Sequence, residues 1–180
     1  MPFKRTPRDY DEQALYDYAV GALGRRMHTV AELKRLMRTR VRHQPLGELL
    51  IEVVVARLKE QRYLNDAGYA AAYSSFRKEN EKFGSMRVVR DLRAKGMHAD
   101  VIERAVKTAY EGVNEEKLAR AFLARKRIAA PVDQKQAARI FRALARAGFP
   151  SSVIIPILKK WKVEDETLSA LEQEREETES

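Results

Sequence analysis

The sequence predicts an all-α protein: three tandem three-helix repeats stacked into an elongated, curved, solenoid-like molecule. Apolar residues recur at spacings of three and four throughout, and no stretch shows the alternation that a strand requires. The segment Ser85 to Val106 (SMRVVRDLRAKGMHADVIERAV) recurs at Ala137 to Leu158 (AARIFRALARAGFPSSVIIPIL) without a gap, at an offset of 52 residues. Leu92 then aligns with Leu144, Gly96 with Gly148, Met97 with Phe149, and Val101-Ile102 with Val153-Ile154. Each copy also places Gly where a helix closing in the left-handed conformation needs it, with the next residue spaced to touch Leu92 or Leu144. Both copies therefore read helix, Gly stop, helix, and units of this size bury their apolar faces by stacking on their neighbours.

Residues 1–12 open with MPFKRTPRD, basic and proline-containing, and read as a flexible arm. The first repeat spans 13–64. Its first helix carries the stripe Leu15, Tyr18, Ala19, Ala22 and Leu23 and ends by about Arg26. Thr29 and Glu32 form a capping box that starts the second helix, with Val30, Leu33, Leu36 and Met37 inward. Leu36 aligns with Leu92 at an offset of 56, but Arg40 stands where the later copies have Gly, so the stop is weaker and a longer connection, Val41 to Gly47, follows. A third helix runs from about Glu48 to Gln61.

The second repeat, 65–112, opens at a cap provided by Asn65 or Asp66, and its first helix presents Tyr69, Tyr73 and Phe76 as a buried stripe. Met86, Val89 and Leu92 share one face of the following helix, with Arg87, Arg90 and Arg93 opposite. His98 starts the next helix. The third repeat, 114–162, begins at Asn114 with Leu118, Ala121 and Phe122 inward. Pro156 falls inside its last helix, which should start late or kink, and Trp161 seals the end. Tyr69, Tyr73, Phe76 and Phe122 read as core rather than base-stacking residues. Residues 163–180 form an acidic tail.

The chain has 180 residues, 44% hydrophobic, which is enough for a core in one or two small domains. It has no cysteine, and three scattered histidines (His28, His43, His98) do not make a zinc cage, so neither metal nor other cofactor is expected. No GxxxxGK loop and no Ser, His and acid set stands out, which argues against an enzyme. Glu48 with Glu52, and Glu79 with Glu81, lie among basic neighbours and read as solvated helix faces. No run of secretory or membrane-spanning length occurs, so the expected location is the cytoplasm and the expected state a monomer.

Charge is unevenly distributed. Glu164 to Ser180 holds eight acidic residues and one arginine, and removing that −7 from the total of +9 leaves +16 on residues 1–163. A basic body points to a polyanionic partner or an acidic protein surface, for which the tail is expected to compete. Arg87 and Arg90 match Arg139 and Arg142, and Lys34 matches Arg90, so stacking would align these side chains into a basic track. The candidate partner- or DNA-binding residues are Lys34, Arg35, Arg38, Arg87, Arg90, Lys95, Arg139, Arg142 and Arg146. A helical protein that binds DNA or RNA directly, or a scaffold for an acidic protein, fits the same pattern.

Several motifs occur in order: TVAELKRLM; an aromatic-Leu-Asx-Asp turn (Tyr63, Leu64, Asn65, Asp66) with Tyr69-Ala70; a Lys82-Phe83-Gly84 turn; and Arg87, Arg90, Leu92, Lys95 and Gly96. In these the chain resembles, over residues 14 to about 161, the RecX family of bacterial recombination regulators. It departs from the family pattern at Ser85, where Pro is usual, and at Ala67, where an acidic residue is usual. The resemblance implies a curved all-α protein that binds the helical groove of the RecA filament on single-stranded DNA. It further implies repression of ATP hydrolysis, strand exchange and co-protease activity, hence modulation of recombination, DNA repair and the SOS response. It implies no catalysis, while the charge of +16 on residues 1–163 predicts weak, sequence-independent DNA binding.

Overall fold

Short runs of helix-forming sequence, separated by caps and stops, make ten α-helices and one π-helical turn among residues 9–179, the part that the computed structural model describes. The helices are α1 (Glu12–Arg25), α2 (Val30–Val41), α3 (Gly47–Glu60), α4 (Asp66–Phe76), α5 (Ser85–Ala94), α6 (Ala99–Tyr110), α7 (Glu115–Arg125), α8 (Gln134–Arg146), α9 (Ser151–Lys160) and α10 (Asp165–Glu179). The π turn, Arg77–Glu81, continues α4. No strand occurs among the described residues, and the fold is an all-α helical repeat. No helix there is long and apolar enough to cross a membrane.

Side chains set the helix starts. Asp11 accepts from the Ala14 N–H at 2.7 Å, Asn65 from Gly68 at 2.8 Å, and Asn114 from Lys117 at 2.9 Å. The capping box forms as expected: Glu32 N–H donates to Thr29 Oγ1 and Thr29 N–H to the Glu32 carboxylate, each at 3.1 Å. Residues 1–8 of the expected basic arm lie outside the described residues. Tyr10 is tied down by a double hydrogen bond with Gln44, at 3.0 and 2.8 Å, so α1 starts at Glu12.

Backbone geometry sets the stops. Gly96 (φ +78°) and Gly148 (φ +93°) are left-handed. Met97 N–H reaches Leu92 O and Phe149 N–H reaches Leu144 O, at 3.4 and 3.2 Å, the six-to-one bond expected after such a Gly. The same bonding closes α3, α7 and α9, but there the left-handed residues are Arg62, Arg127 and Lys162. The sequence places the ends of α3 and α9 at about Gln61 and Trp161 without a Gly to mark them, and after α7 and α9 the turn is held by the apolar residue that follows: Ile128 and Val163 pack on the core. A basic side chain also suits the carbonyl-rich end of a helix. Arg42, beyond α2, is right-handed, in keeping with the weaker stop expected there.

The chain divides into two compact units. One comprises the chain up to Ala70 with Leu92–Ile102; the other comprises Ala71–Asp91 and the chain from Glu103. In the first unit, α1, α2 and α3 close around Leu15, Ala19, Leu33, Met37, Ile51, Val54 and Leu58. The buried Thr29 hydroxyl donates to Lys95 O at 2.9 Å, and Val30 N–H to Asp66 at 3.0 Å. In the second, α7, α8, α9 and α10 enclose Phe122, Phe141, Leu144, Phe149, Ile154, Ile157 and Leu158. Gly84 N–H donates to Ala147 O at 2.9 Å, where a side chain on Gly84 would strike the Gly148 carbonyl.

Two expectations are corrected, for α5 and for α4. On α5 the buried residues are Val88 and Leu92; Val89 is only half-buried and Met86 is 40% exposed. On α4 the inward positions are Ala70 and Ser74, with Tyr69 and Tyr73 half-buried and Phe76 55% exposed. Tyr73 sits at the boundary because its hydroxyl needs a partner, which Asp91 supplies at 3.0 Å. Pro156 neither delays nor ends α9, which runs from Ser151 through the proline to Lys160. The acidic tail is helical over 165–179, and Leu168 and Leu171 enter the core. Trp161 packs, half-buried, on the same core.

Candidate polyanion interface

Three of the four candidate cations of the first unit are engaged locally. Lys34 Nζ lies 2.6 and 2.8 Å from the two oxygens of Glu52, and Arg38 makes a two-pronged pair with Glu48 at 2.8 and 3.1 Å. That hydrogen bond holds Glu48 below the usual carboxylate range. Lys95 pairs with Glu32 at 3.1 Å and lies 5.6 Å from the Tyr69 ring centre. Burial works against the Lys95 charge, but Tyr69 and Glu32 outweigh it and raise its pKa. Arg35 is exposed. Nearby, His28 is buried and its Nδ1 has no hydrogen-bond partner; burial, then Arg26, lowers its pKa from the ordinary 6.5.

The second unit gathers its arginines. Arg87 binds Asp91 at 2.8 Å and lies over the Phe83 ring at 5.3 Å. Arg87 and Arg90 both donate to the Arg146 carbonyl at the end of α8, at 3.2 and 3.0 Å. Arg175 on α10 donates to Phe149 O at 3.0 Å. These carbonyl bonds fix the direction of the guanidinium groups. Between α8 and α10 opens a groove of about 420 Å³, lined by Arg90, Arg142, Arg146 and Arg175, with Phe141, Ala145 and Leu171 as its apolar part. Among the described residues the only acid lining it is Glu174, whose carboxylate is 3.5 Å from Arg142.

Three of the nine sequence-derived candidates, Arg90, Arg142 and Arg146, thus share one site, while Arg139 is exposed and does not line it. The missed members are Arg175 and Glu174. The tail's composition concealed them, although Leu168 and Leu171, three residues apart in a polar stretch, mark an amphipathic helix turn. Among the described residues no group of His, Asp or Glu is arranged to hold a metal ion.

A guanidinium-lined groove with an apolar wall suits phosphate or carboxylate recognition, because the planar fork binds such groups two bonds at a time. A family model, RecX, second three-helix domain, matches residues 65–106. The regulatory protein RecX of Deinococcus radiodurans is 34% identical over 163 residues, covering 88% of this chain and 74% of that protein. The chain belongs to the RecX family. The RecX protein of Streptomyces coelicolor is 30% identical over 176 residues, 96% of this chain and 85% of its own. That of Pseudomonas syringae pv. tomato is 32% identical over 137 residues, 76% and 84% of the two chains. The fold matches the crystal structure of RecX from Lactobacillus salivarius with a TM-score of 0.66 at 18% identity, covering 84% of this chain and 96% of that one. A second RecX crystal structure matches with a TM-score of 0.67 at 20% identity, covering 83% and 71%.

Proposed function

We propose that this RecX-family protein binds the RecA filament on single-stranded DNA and lowers its ATPase, strand-exchange and co-protease activities. It acts in the cytoplasm, as a monomer and without catalysis of its own. The observation that supports this reading best is the groove where Arg90, Arg142, Arg146 and Arg175 converge, because a nucleoprotein filament is a dense, regular array of negative charge. Exposed Arg35 and Arg139 add to the contact surface, while Lys34, Arg38, Arg87 and Lys95 act mainly within the molecule through the pairs described above. The domains on this reading are the arm, 1–12, repeats at 13–64, 65–112 and 114–162, and the segment 163–180.

The test is RecA ATPase on single-stranded DNA with the purified protein added. Arg142→Glu should raise the concentration needed for half-inhibition about tenfold, since an exposed charge contact is worth on the order of 1 kcal/mol and reversal adds repulsion. Full inhibition by the folded variant at the wild-type concentration would remove this groove from the mechanism. A second reading, direct binding of nucleic acid, is favoured by the charge of +16 on residues 1–163. Binding to naked DNA that persists in a variant unable to inhibit RecA would select it.

A further inference from the structure

Among the described residues that line the groove of the second unit, four arginines meet one carboxylate, Glu174. The carboxylate comes from the acidic segment, yet α10 does not behave as a loose competitor. It is anchored by Leu168 and Leu171 in the core, and it supplies Arg175 to the groove beside Glu174. Arg90 and Arg175 are held by the Arg146 and Phe149 carbonyls, so their forks are in place before any ligand arrives. Glu174 is held differently: its bond to Arg142 is 3.5 Å long, and both side chains are more than half exposed. Such an exposed pair contributes little and exchanges readily.

We infer that the groove between α8 and α10 is a phosphodiester-binding site for single-stranded nucleic acid, in which Glu174 occupies one phosphate position until the backbone displaces it. The helix α10 stays docked and forms part of the site; only the Glu174 side chain leaves. A phosphodiester strand fits better than a single carboxylate because its charges repeat along its length. It can engage Arg142, Arg146 and Arg175 together. This inference deepens the function proposed above by giving the nucleic-acid strand a place on the protein.

The experiment measures binding of the full-length protein to a fluorescein-labelled oligothymidylate by anisotropy across a salt series, with no RecA present. Glu174→Gln should tighten binding about two- to five-fold at low salt, as expected for removing one exposed ion pair that competes. Arg142→Gln and Arg175→Gln should each weaken it several-fold and flatten the log–log salt slope by about 0.7, one phosphate contact. Glu177→Gln, the same charge change on an exposed residue of α10 that does not line the groove, serves as control. Hydrogen exchange of the α10 amides should not rise when the oligonucleotide binds. If Glu174→Gln has no more effect than Glu177→Gln, or if α10 loses protection on binding, the displacement idea is overturned. Unchanged oligonucleotide binding by Arg142→Gln, with RecA inhibition lost, would make the groove a protein contact instead. Oligonucleotide binding that follows the expected pattern in a protein unable to inhibit RecA would leave the groove standing and remove the filament reading.

Discussion

The turn between α5 and α6 and the turn between α8 and α9 are the two best-matched stretches of the sequence, yet their arginines have different roles. Inside, the copies agree. Leu92 and Leu144 are fully buried, Ile102 and Ile154 nearly so, and each helix closes on a left-handed Gly with the same pair of backbone bonds. Outside, they diverge. Arg87 is half-buried against Asp91 and the Phe83 ring, whereas its counterpart Arg139 is exposed. Arg90 anchors to a carbonyl, whereas its counterpart Arg142 meets a carboxylate across a groove. A repeat preserves what the repeated fold needs, namely the apolar stripe and the stop; surface positions take whatever partner the surrounding chain supplies.

The agreement can be tested at its strongest point. Leu92→Ala and Leu144→Ala should each cost about 2 to 5 kcal/mol, because both leave a cavity where the side chain was fully buried. Chemical denaturation would give both values, and a cost near zero at either site would break the equivalence. The two glycines sharpen the comparison further. A Cβ on Gly148 would lie 2.3 Å from the Arg87 backbone nitrogen, whereas one on Gly96 would meet only the Ala31 methyl, at 2.6 Å. Both substitutions carry the left-handed penalty of about 1 to 2 kcal/mol. Gly148→Ala should exceed Gly96→Ala by about 1 kcal/mol or more, since relief requires moving backbone. Equal melting temperatures would mean that the Gly148 contact relaxes freely.

The stops without glycine predict a change of opposite sign. Arg127 and Lys162 hold φ of +54° and +60°, where Gly is favoured. Arg127→Gly should therefore stabilise the protein by up to about 1 kcal/mol, read as a rise in melting temperature. A fall would show that the arginine contributes more through its side chain than its backbone costs. The smallest expected difference concerns the outer face. Arg139→Ala should lie within about 0.5 kcal/mol of the parent, whereas Arg87→Ala should exceed that, because it removes the 2.8 Å ion pair with Asp91 and one of the two side-chain bonds to the carbonyl at the end of α8. Identical stabilities would restore the symmetry that the repeat suggests.

Where sequence reading failed, it failed for local reasons. On α5 the adjacent Val88 and Val89 allow a helical stripe in two registers; placing the arginines opposite the stripe selects Val89, whereas packing buries Val88. The corresponding residue of the other copy, Ile140, is buried as Val88 is, so the alignment itself held the correct register. The spacing of Phe76 from Tyr73 predicts a core position, but the inward face of α4 is lined by the smaller Ala70 and Ser74. The stops at Arg62, Arg127 and Lys162 had no Gly to announce them.

By itself, the sequence determined the helical class, the capping box at Thr29, the glycine stops and the RecX membership. Each depends on residues close along the chain or on a motif preserved in order, and short-range sterics and hydrogen bonding act at that range. The tertiary structure decided which cations share a site. Lys34 and Arg38 are matched by Glu52 and Glu48 on α3, whereas Arg90, Arg142, Arg146 and Arg175 come together from α5, α8 and α10. Charge acts through space rather than along the chain, so a side chain's partner depends on packing that no local pattern encodes.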